Sequence, residues 1–322
     1  MSKDEFESLL DWFAPLATSP AARGLRDDAA LIDFGGPVVL TNDCLVEGVH
    51  FRASDPIDSV AQKALRVNLS DLAAKAARPV GYLLALHWPD ARASDEIALF
   101  AQGLARDQER FGMALLGGDT VSTPGPLSIS VTMFGALVGA RAPDRREARI
   151  GQDVWISGAI GDGWLGLQTA LQGQGDAAVL QHYRCPRPRL ELAACLASFA
   201  GAAMDVSDGL LADCAKLADA SELAVEINLM DIPHSRSGQA FVAAARDPQA
   251  ARLQLVAGGD DYEILFTAEP AARPALARAS QDLGLQLSRI GRTLAGTGLT
   301  LRDGAGRAIA LTHLGYAHLL GC

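Results

Sequence analysis

Apolar and polar residues alternate most regularly in residues 127–133, where Leu, Ile, Val and Met are separated by Ser and Thr. A period of two is typical of a strand with one buried and one exposed face. Residues 29–34 and 38–40 are apolar runs on either side of a Gly-Gly-Pro turn, and they predict a hairpin. Residues 80–87 and 114–116 are short apolar runs that also predict strands.

Helical spacing replaces this alternation in residues 58–77, where small and apolar side chains recur at intervals of three and four. The proline at position 79 ends the predicted helix, because it cannot continue the hydrogen-bonding pattern. Residues 94–111 predict a second long helix that ends at a glycine. Residues 3–16 predict a short amphipathic helix.

The second half of the chain mixes strands and helices without strict alternation. The predicted strands are residues 154–157, 224–228, 264–267, 286–290, 299–301 and 308–311. The predicted helices are residues 164–171, 186–199, 209–220 and 271–283, with a turn at 203–208. The charged segment 139–149 separates the two halves. The pattern therefore predicts two domains, residues 1–140 and 150–322, of mixed α/β or α+β class.

Composition excludes several classes of protein. Hydrophobic residues make up 49% of the 322 residues, which is too many for a disordered chain. The formal net charge of −10 argues against nucleic acid as the main partner. The five cysteines have no paired spacing, so a zinc site or a disulfide framework is not expected. An acidic N-terminus and the lack of an apolar span predict a cytoplasmic protein that has no membrane partner.

Acidic residues recur beside turns and helix starts. They lie at residues 27–28, 43, 68–71, 117–120, 205–209 and 258–261. Each stretch by itself fits a turn or a helix cap. Together they offer oxygen ligands without His or Cys companions, a set that suits Mg²⁺ rather than zinc.

Asp71 is the acid that a capping role explains least well. It lies deep in a predicted helix among Ala and Leu, where Asp has a poor propensity. Asn68 lies one turn earlier on the same face. An acid in such a packed helix is as consistent with a metal ligand as with a structural group.

Mg²⁺ usually binds together with substrate phosphates, which points to a nucleotide. The sequence has neither a P-loop nor the protein-kinase motifs. Residues 158–163 are glycine-rich and lie between a strand and a helix, but their spacing does not fit a dinucleotide site. No catalytic Ser or Cys arrangement is readable. Of the six histidines, only His50 lies among charged residues, and a packing role for it stays open.

Together these motifs resemble the thiamine-monophosphate kinase family, which shares a superfamily with aminoimidazole ribonucleotide synthetase and selenophosphate synthetase. The resemblance follows the family's order and covers nearly the whole chain. Residues 45–51 (LVEGVHF) and 68–74 (NLSDLAA) are the specific stretches, whereas the glycine-acid motifs are shared across the superfamily. The full set is 26–30 (RDDAA), 41–51 (TNDCLVEGVHF), 67–74 (VNLSDLAA), 116–120 (LGGDT), 204–210 (MDVSDGL) and 258–263 (GGDDYE).

The resemblance implies an N-terminal domain that binds ATP and Mg²⁺ and joins its strands to those of a second subunit in a dimeric β-barrel. A C-terminal α/β domain would complete the cleft for ATP, several Mg²⁺ ions and thiamine phosphate. The implied metal ligands are Asp28, Thr41, Asn42, Asp43, Asp71, Asp119, Asp205 and Asp208. The implied ATP contacts are Gly118, Asp119, Arg146 and Ser207, and the implied thiamine phosphate contacts are His50, Asp260 and Tyr316. The catalytic acids would be Asp43, Asp71 and Asp119.

Three positions depart from the family pattern. Arg26 stands where glycine usually precedes the acid pair. Asn42 replaces a Thr or Ser, so its metal contact would be weaker or made by the backbone. Lys75-Ala76 follows residues 68–74 where Met-Gly is common, which would alter the packing behind Asp71.

The implied reaction transfers the γ-phosphoryl group of ATP to thiamine phosphate. A phosphate monoester already carries about 1.5–2 negative charges at pH 7, so the acceptor needs positioning rather than a base. Other members of the superfamily stay open as alternatives. A hydrogenase-maturation protein also ends in cysteine, as this chain does at Cys322, and selenophosphate synthetase uses ATP as well. A non-catalytic Mg-nucleotide-binding regulator is the alternative outside the enzymes.

Overall fold

The computed structural model of the protein describes residues 10–27, 29–93 and 95–316. The chain divides into two units. The first unit contains the residues up to Leu72 together with Ala77–Leu137. The second unit contains Ala73–Ala76 and the residues from Val138 onward. Within the described ranges, no helix is long and apolar enough to cross a membrane.

The first unit is built on a four-stranded sheet in the order β1-β4-β2-β3. The β1–β4 and β4–β2 pairs are antiparallel, and β2 and β3 are parallel. The sheet is open, and a barrel shared with a second subunit stays a prediction. The strands are β1 (Val38–Val46), β2 (Ala77–Pro89), β3 (Ala114–Thr123) and β4 (Ser128–Leu137).

Two helices, α1 (Ile57–Ala74) and α2 (Glu96–Phe111), belong to this unit. Side chains on β4 alternate between buried and half-buried, as the period-two pattern predicts. Helix α1 packs close to β4, because a Cβ on Gly135 would lie 2.8 Å from Leu72 Cδ2. On the sheet's other face, Leu40 is 62% exposed. One face of the sheet is therefore covered by helix and the other is partly open.

The second unit contains a six-stranded mixed sheet in the order β10-β7-β9-β5-β8-β6. Its strands are β5 (Asp153–Ser157), β6 (Ala200–Val206), β7 (Ala224–Asn228), β8 (Glu263–Ala268), β9 (Leu287–Leu294) and β10 (Gly298–Arg302). Its helices are α3 (Asp162–Gln172), α4 (Ala177–Arg184), α5 (Ala193–Phe199), α6 (Leu210–Ala220), α7 (Arg236–Ala244), α8 (Pro248–Ala257) and α9 (Arg273–Leu283).

Both faces of the second sheet are buried. Val154 and Ile156 pack with α6 residues such as Leu210 in one core, whereas Trp155 between them packs with α5 and α9 in another. Successive residues of a strand point to opposite faces, so one strand contributes to both cores. Two domains of mixed α/β class are confirmed.

Four local predictions are wrong. Residues 30–34 form no strand, and β1 pairs with the distant β4 instead of a hairpin partner. The predicted turn at 203–208 is mostly strand, because β6 pairs with β8 as far as Val206. The helix predicted from 186 starts only at residues 190–193, since the prolines at 186 and 188 disfavour helical conformation before them. Residues 308–311 form only a single bridge, between Ala308 and Arg302.

Candidate active site

The acidic motif of residues 41–43 lies inside β1. The sequence pattern predicts a strand that ends at residue 40, before this motif. Side chains of a strand alternate, so Thr41 and Asp43 share one face. The Thr41 hydroxyl donates a hydrogen bond to the Asp71 carboxylate of α1. The backbone N–H of Asp43 donates to Asn68 Oδ1 at 3.2 Å. The fold thus joins the start of the 41–51 motif to the 67–74 motif, two of the stretches that carry the family resemblance.

The two carboxylates of this cluster influence each other. Burial, and to a smaller extent the negative charge of Asp71, raise the pKa of Asp43 from 3.8 to about 6. A bound cation would reverse this effect by favouring the charged form. Two carboxylates, one hydroxyl and nearby backbone oxygens form a donor set that fits Mg²⁺, which keeps open positions for substrate phosphates.

A larger set of acids is not assembled. Within the described ranges, no group of three or more His, Cys, Asp or Glu side chains is close enough to hold a metal ion. The strand order puts Asp43 on β1 and Asp119 on β3 at opposite ends of the sheet, three strand spacings or about 14 Å apart. Asp28 lies outside the described residues.

Asn42 points away from the Asp43–Asp71 cluster. Its side-chain amide donates to Thr132 Oγ1 at 2.8 Å and to Ser130 Oγ at 3.1 Å, on neighbouring strand β4. Because adjacent residues of a strand face opposite sides, this side chain cannot also reach Asp71. Any metal contact by Asn42 would come from its backbone oxygen.

Gly118 and Asp119 lie beside a second feature of the first unit, a cavity of about 190 Å³. Asp27 and Thr120 also line it, and its walls are otherwise mostly apolar. Gly118 is required at this point, because a Cβ there would lie 1.9 Å from the carbonyl oxygen of Leu84. At this cavity, the glycine-acid motif of β3 lies near Asp27, which is the described member of the acid pair at 27–28.

His50 follows β1 and is held in a fixed orientation. Its Nδ1 accepts a hydrogen bond from the backbone N–H of Val46 at 3.0 Å. Its carbonyl oxygen accepts from the buried Lys63 ammonium at 2.9 Å. With Nδ1 as acceptor, a neutral ring carries its proton on Nε2, which is then the nitrogen able to donate to a ligand. Glu47 is engaged elsewhere, in an ion pair of 2.7 Å with Arg92.

A second cluster lies in the second unit, where β6 leads into α6. The carboxylate of Asp213, fully buried in α6, accepts hydrogen bonds from the backbone N–H groups of Ser207 at 3.0 Å and Asp208 at 3.1 Å. The Lys216 ammonium donates to Asp213 at 2.7 Å and also to Asp208. Burial raises the pKa of Asp213, and the Lys216 charge opposes that rise. Asp208 is thus already paired with a cation of the protein.

Two further predicted stretches meet this loop. The backbone N–H of Asp260 donates to Ser207 O at 2.9 Å, and that of Tyr316 donates to Asp208 O at 2.8 Å. Asp260 and Tyr262 have φ values of +69° and +52°. Such left-handed conformations cost about 1–2 kcal/mol for residues other than glycine, and strain of this kind clusters at functional loops. The fold therefore brings Ser207, Asp208, Asp260 and Tyr316 together, and their roles toward metal, ATP and thiamine phosphate stay predictions.

Arg146 is not part of this cluster. Its guanidinium donates from Nε to both oxygens of Asp144 at 3.0 Å, and its side chain is 74% exposed. Hydrogen bonds from Arg146 lower the pKa of Asp144 to about 2. An ATP contact by Arg146 stays a prediction.

The Lys75-Ala76 departure has a structural consequence inside the second unit. The Lys75 ammonium donates to the carbonyl oxygens of Ala203 at 2.7 Å and Pro143 at 3.2 Å. Ala203 belongs to β6, the strand that carries Asp205. Ala76 has φ of +53°, a conformation that favours the glycine common in the family.

Sequence reasoning missed Asp213, Lys216 and the second acid of residues 258–261. Asp213 and Lys216 are three residues apart on a helix that follows an acidic loop, a spacing that could have suggested a pair. Asp261 is fully buried and accepts hydrogen bonds from the backbone N–H groups of Gly161 and Gly163. The Asp261 carboxylate therefore holds the glycine-rich loop 158–163 in place.

Comparison with known proteins decides the family. Residues 26–137 match the AIR synthase related protein, N-terminal domain, and residues 149–304 match the C-terminal domain of the same description. The thiamine-monophosphate kinase of Caulobacter vibrioides is 42% identical over 319 residues, which cover 98% of this chain and 90% of that protein. The chain belongs to the thiamine-monophosphate kinase family.

Solved structures agree with this assignment. A structure described as AaThiL complexed with AMPPCP and TMP is 28% identical, covers 90% of this chain and 91% of its own, and has a TM-score of 0.76. A hydrogenase maturation protein in complex with ATP has a TM-score of 0.78 at 19% identity, covering 97% of this chain and 96% of its own. That second likeness shows the fold alone, so the fold does not separate thiamine-monophosphate kinases from that maturation protein.

Proposed function

We propose that this protein phosphorylates thiamine phosphate with ATP, giving thiamine diphosphate and ADP. The observation that carries the proposal is the contact of Thr41 and Asp43 with Asp71 and Asn68, which joins the 41–51 and 67–74 motifs of the family resemblance. A relative in the same family was solved with AMPPCP, an ATP analogue, and TMP. The enzyme is thus a phosphotransferase with a phosphate group as acceptor.

The chemistry requires positioning and charge neutralisation more than proton transfer. The acceptor phosphate carries about 1.5–2 negative charges at pH 7 and can attack without a general base. Two anionic substrates repel each other, and bound Mg²⁺ would neutralise that charge. We expect Thr41, Asp43 and Asp71 to hold such ions in the first unit and Asp205 and Asp208 in the second.

The remaining predicted ligands lie outside these two metal clusters or contact the substrates in our proposal. Asp119 and Gly118 line the cavity of the first unit. We propose them as ATP contacts, and we propose the same role for Ser207 and Arg146. Asp28 and the backbone of Asn42 complete the proposed metal set. His50, through its Nε2 proton, and Asp260 and Tyr316 would contact thiamine phosphate.

We also propose a homodimer that forms through the open face of the first sheet. Leu40 on β1 and Val121 on β3 are 62% and 40% exposed there, and a second copy would cover them. Light scattering should give the mass of two chains, and replacement of Leu40 by Glu should give one. We expect the protein in the cytoplasm, where free thiols such as the buried Cys195 and Cys214 stay reduced.

The direct test is product formation from Mg-ATP and a panel of acceptors: thiamine phosphate, thiamine, selenide and aminoimidazole ribonucleotide precursors. Thiamine diphosphate from thiamine phosphate alone is the expected result. Turnover only with selenide would indicate selenophosphate synthetase. ATP binding without ADP release from any acceptor would indicate a regulator.

A variant at Cys322, which lies outside the described residues, distinguishes the proposed kinase from a hydrogenase-maturation activity. In that alternative the terminal thiol accepts the transferred group. Cys322→Ser should therefore leave thiamine diphosphate formation within twofold of the unmodified protein. A loss of activity in this variant, with Cys44→Ser unaffected, would favour the maturation activity.

A further inference from the structure

The second unit contains a cavity of about 440 Å³ beside the strained loop at residues 258–262. Tyr316 lines it together with the loop residues Gly258 and Gly259. Most other lining side chains are aliphatic, including Leu211, Leu253 and Leu311. A cavity of this size with apolar walls is typical of a binding site for a small organic molecule.

Trp164 is the second aromatic side chain of this cavity. It lies in the first turn of α3, and its ring meets Phe241 of α7 edge to face with centroids 5.5 Å apart. A Cβ on Gly258 would lie 2.4 Å from Trp164 Cβ and 3.0 Å from its Cδ1. The indole therefore packs against both Phe241 of α7 and the glycine of the loop.

The cavity adjoins the predicted acceptor residues. A Cβ on Gly259 would lie 2.5 Å from the carbonyl oxygen of Ser207, so the end of the cavity formed by Gly259 touches the β6–α6 loop. Asp260 is the next residue along the chain. A ligand whose aromatic part fills the cavity would then have its phosphate end near Ser207 and Asp260.

We infer that Trp164 determines acceptor specificity by contacting the cationic heteroaromatic part of thiamine phosphate in the cavity that Tyr316 also lines. The inference rests on the proposed function. Trp is the side chain that best attracts a cation over its ring face, and thiamine contains a permanently cationic thiazolium. Gln254, Thr312 and His313 supply the few polar side chains, which can hydrogen-bond to the aminopyrimidine.

The test compares Trp164→Leu and Trp164→Phe with the unmodified protein in steady-state assays. Trp164→Leu should raise the KM for thiamine phosphate about tenfold, as expected for loss of a partly desolvated cation–π contact. Trp164→Phe should show a smaller rise, because Phe keeps an aromatic face. The KM for ATP should stay within twofold in both variants.

A second readout measures binding without turnover. Calorimetric titration of thiamine phosphate into the ATP-free protein should show about tenfold weaker binding for Trp164→Leu. The phosphate ester of the isolated, uncharged thiazole should bind the variant and the unmodified protein equally. Phe199→Leu, which removes an exposed ring elsewhere in the second unit, is the matched control and should change neither value.

The outcomes separate the two claims. An unchanged KM and affinity for thiamine phosphate in Trp164→Leu, in a protein that makes thiamine diphosphate, would overturn the inference and leave the proposed function standing. Equal losses for the charged and uncharged ligands would show a shape role and overturn the cation contact. Failure of the unmodified protein to make thiamine diphosphate would overturn both. If Trp164→Leu does not fold, as judged by thermal unfolding, Trp164→Phe with the two ligands decides the same question.

Discussion

The two acidic clusters differ in how their charge is balanced. In the first unit, burial and the charge of Asp71 raise the pKa of Asp43 to about 6. In the second unit, the Lys216 ammonium donates to both Asp208 and Asp213, and its charge opposes the rise in the pKa of Asp213. An added cation would therefore favour the charged form of Asp43, whereas a metal ion at Asp208 would have to displace the Lys216 ammonium.

The helices that carry the acids of the two clusters, α1 and α6, also have different roles. Helix α1 places the Asp71 carboxylate beside Thr41 of β1, so it adds negative charge to the first cluster. Helix α6 brings an acid to the backbone N–H groups of its own preceding loop, so its contribution is loop conformation. We accordingly expect changes at Asp71 to affect metal dependence and changes at Asp213 to affect folding of the loop.

Asp71→Asn should have the largest effect. Removing a carboxylate that stabilises transferred charge should lower kcat by at least about 100-fold, and the Mg²⁺ dependence should become shallower. ADP release measured across a range of Mg²⁺ concentrations checks both. Asp58→Asn is the matched control, since Asp58 is on the same helix but pairs with Arg106 at the surface. Activity close to that of this control would show that Asp71 is structural.

Asp43 should give the metal-free protein a distinct pH dependence. Its folded-state pKa of about 6 lies above its ordinary value of 3.8, so between these values the folded state binds more protons than the unfolded state. The free energy of unfolding should therefore fall as pH rises from 4 to 6, by up to about 3 kcal/mol from this group.

Urea unfolding in EDTA at pH 4.5 and 6.5 measures that dependence. Asp43→Asn should lose less stability between the two pH values than the unmodified protein, because Asn does not titrate. Added Mg²⁺ should stabilise the unmodified protein more at pH 6.5 than at pH 4.5. Equal pH dependence of the two proteins would mean that Asp71 and burial do not perturb Asp43.

Lys216→Met should have the smallest effect and act in the opposite direction. Without the internal cation, Asp208 is free to bind a metal ion, so the Mg²⁺ concentration for half-maximal activity should fall about two- to fivefold. The magnitude follows from the 42% exposure of Lys216, since half-exposed ion pairs are worth about 0.2–1 kcal/mol. Lys216→Arg keeps the charge and should leave the Mg²⁺ dependence unchanged. An increase in the Mg²⁺ requirement of Lys216→Met would show that Lys216 supports the loop and does not compete for Asp208.

The sequence alone determined the class of chemistry and most regular elements. An acid among alanines singled out Asp71 as either a metal ligand or a structural group. The alternation of residues 127–133 predicted the half-buried strand β4, because strand periodicity is a local property. Family-specific stretches predicted the relatives that comparison then found. The local pattern also gave wrong predictions, among them a hairpin between residues 29–34 and 38–40. In the structure, β1 pairs instead with β4, about 90 residues away.

The tertiary structure alone decided which residues meet. Thr41 and Asp71 are 30 residues apart, and only the packing of α1 on β1 joins them. The strand geometry points Asn42 away from that cluster. The ion pair between Asp208 and Lys216 depends on the turn into α6. The cavity lined by Trp164 and Tyr316 is formed by segments about 150 residues apart. Such contacts depend on long-range packing and register, which residue type and local spacing do not specify.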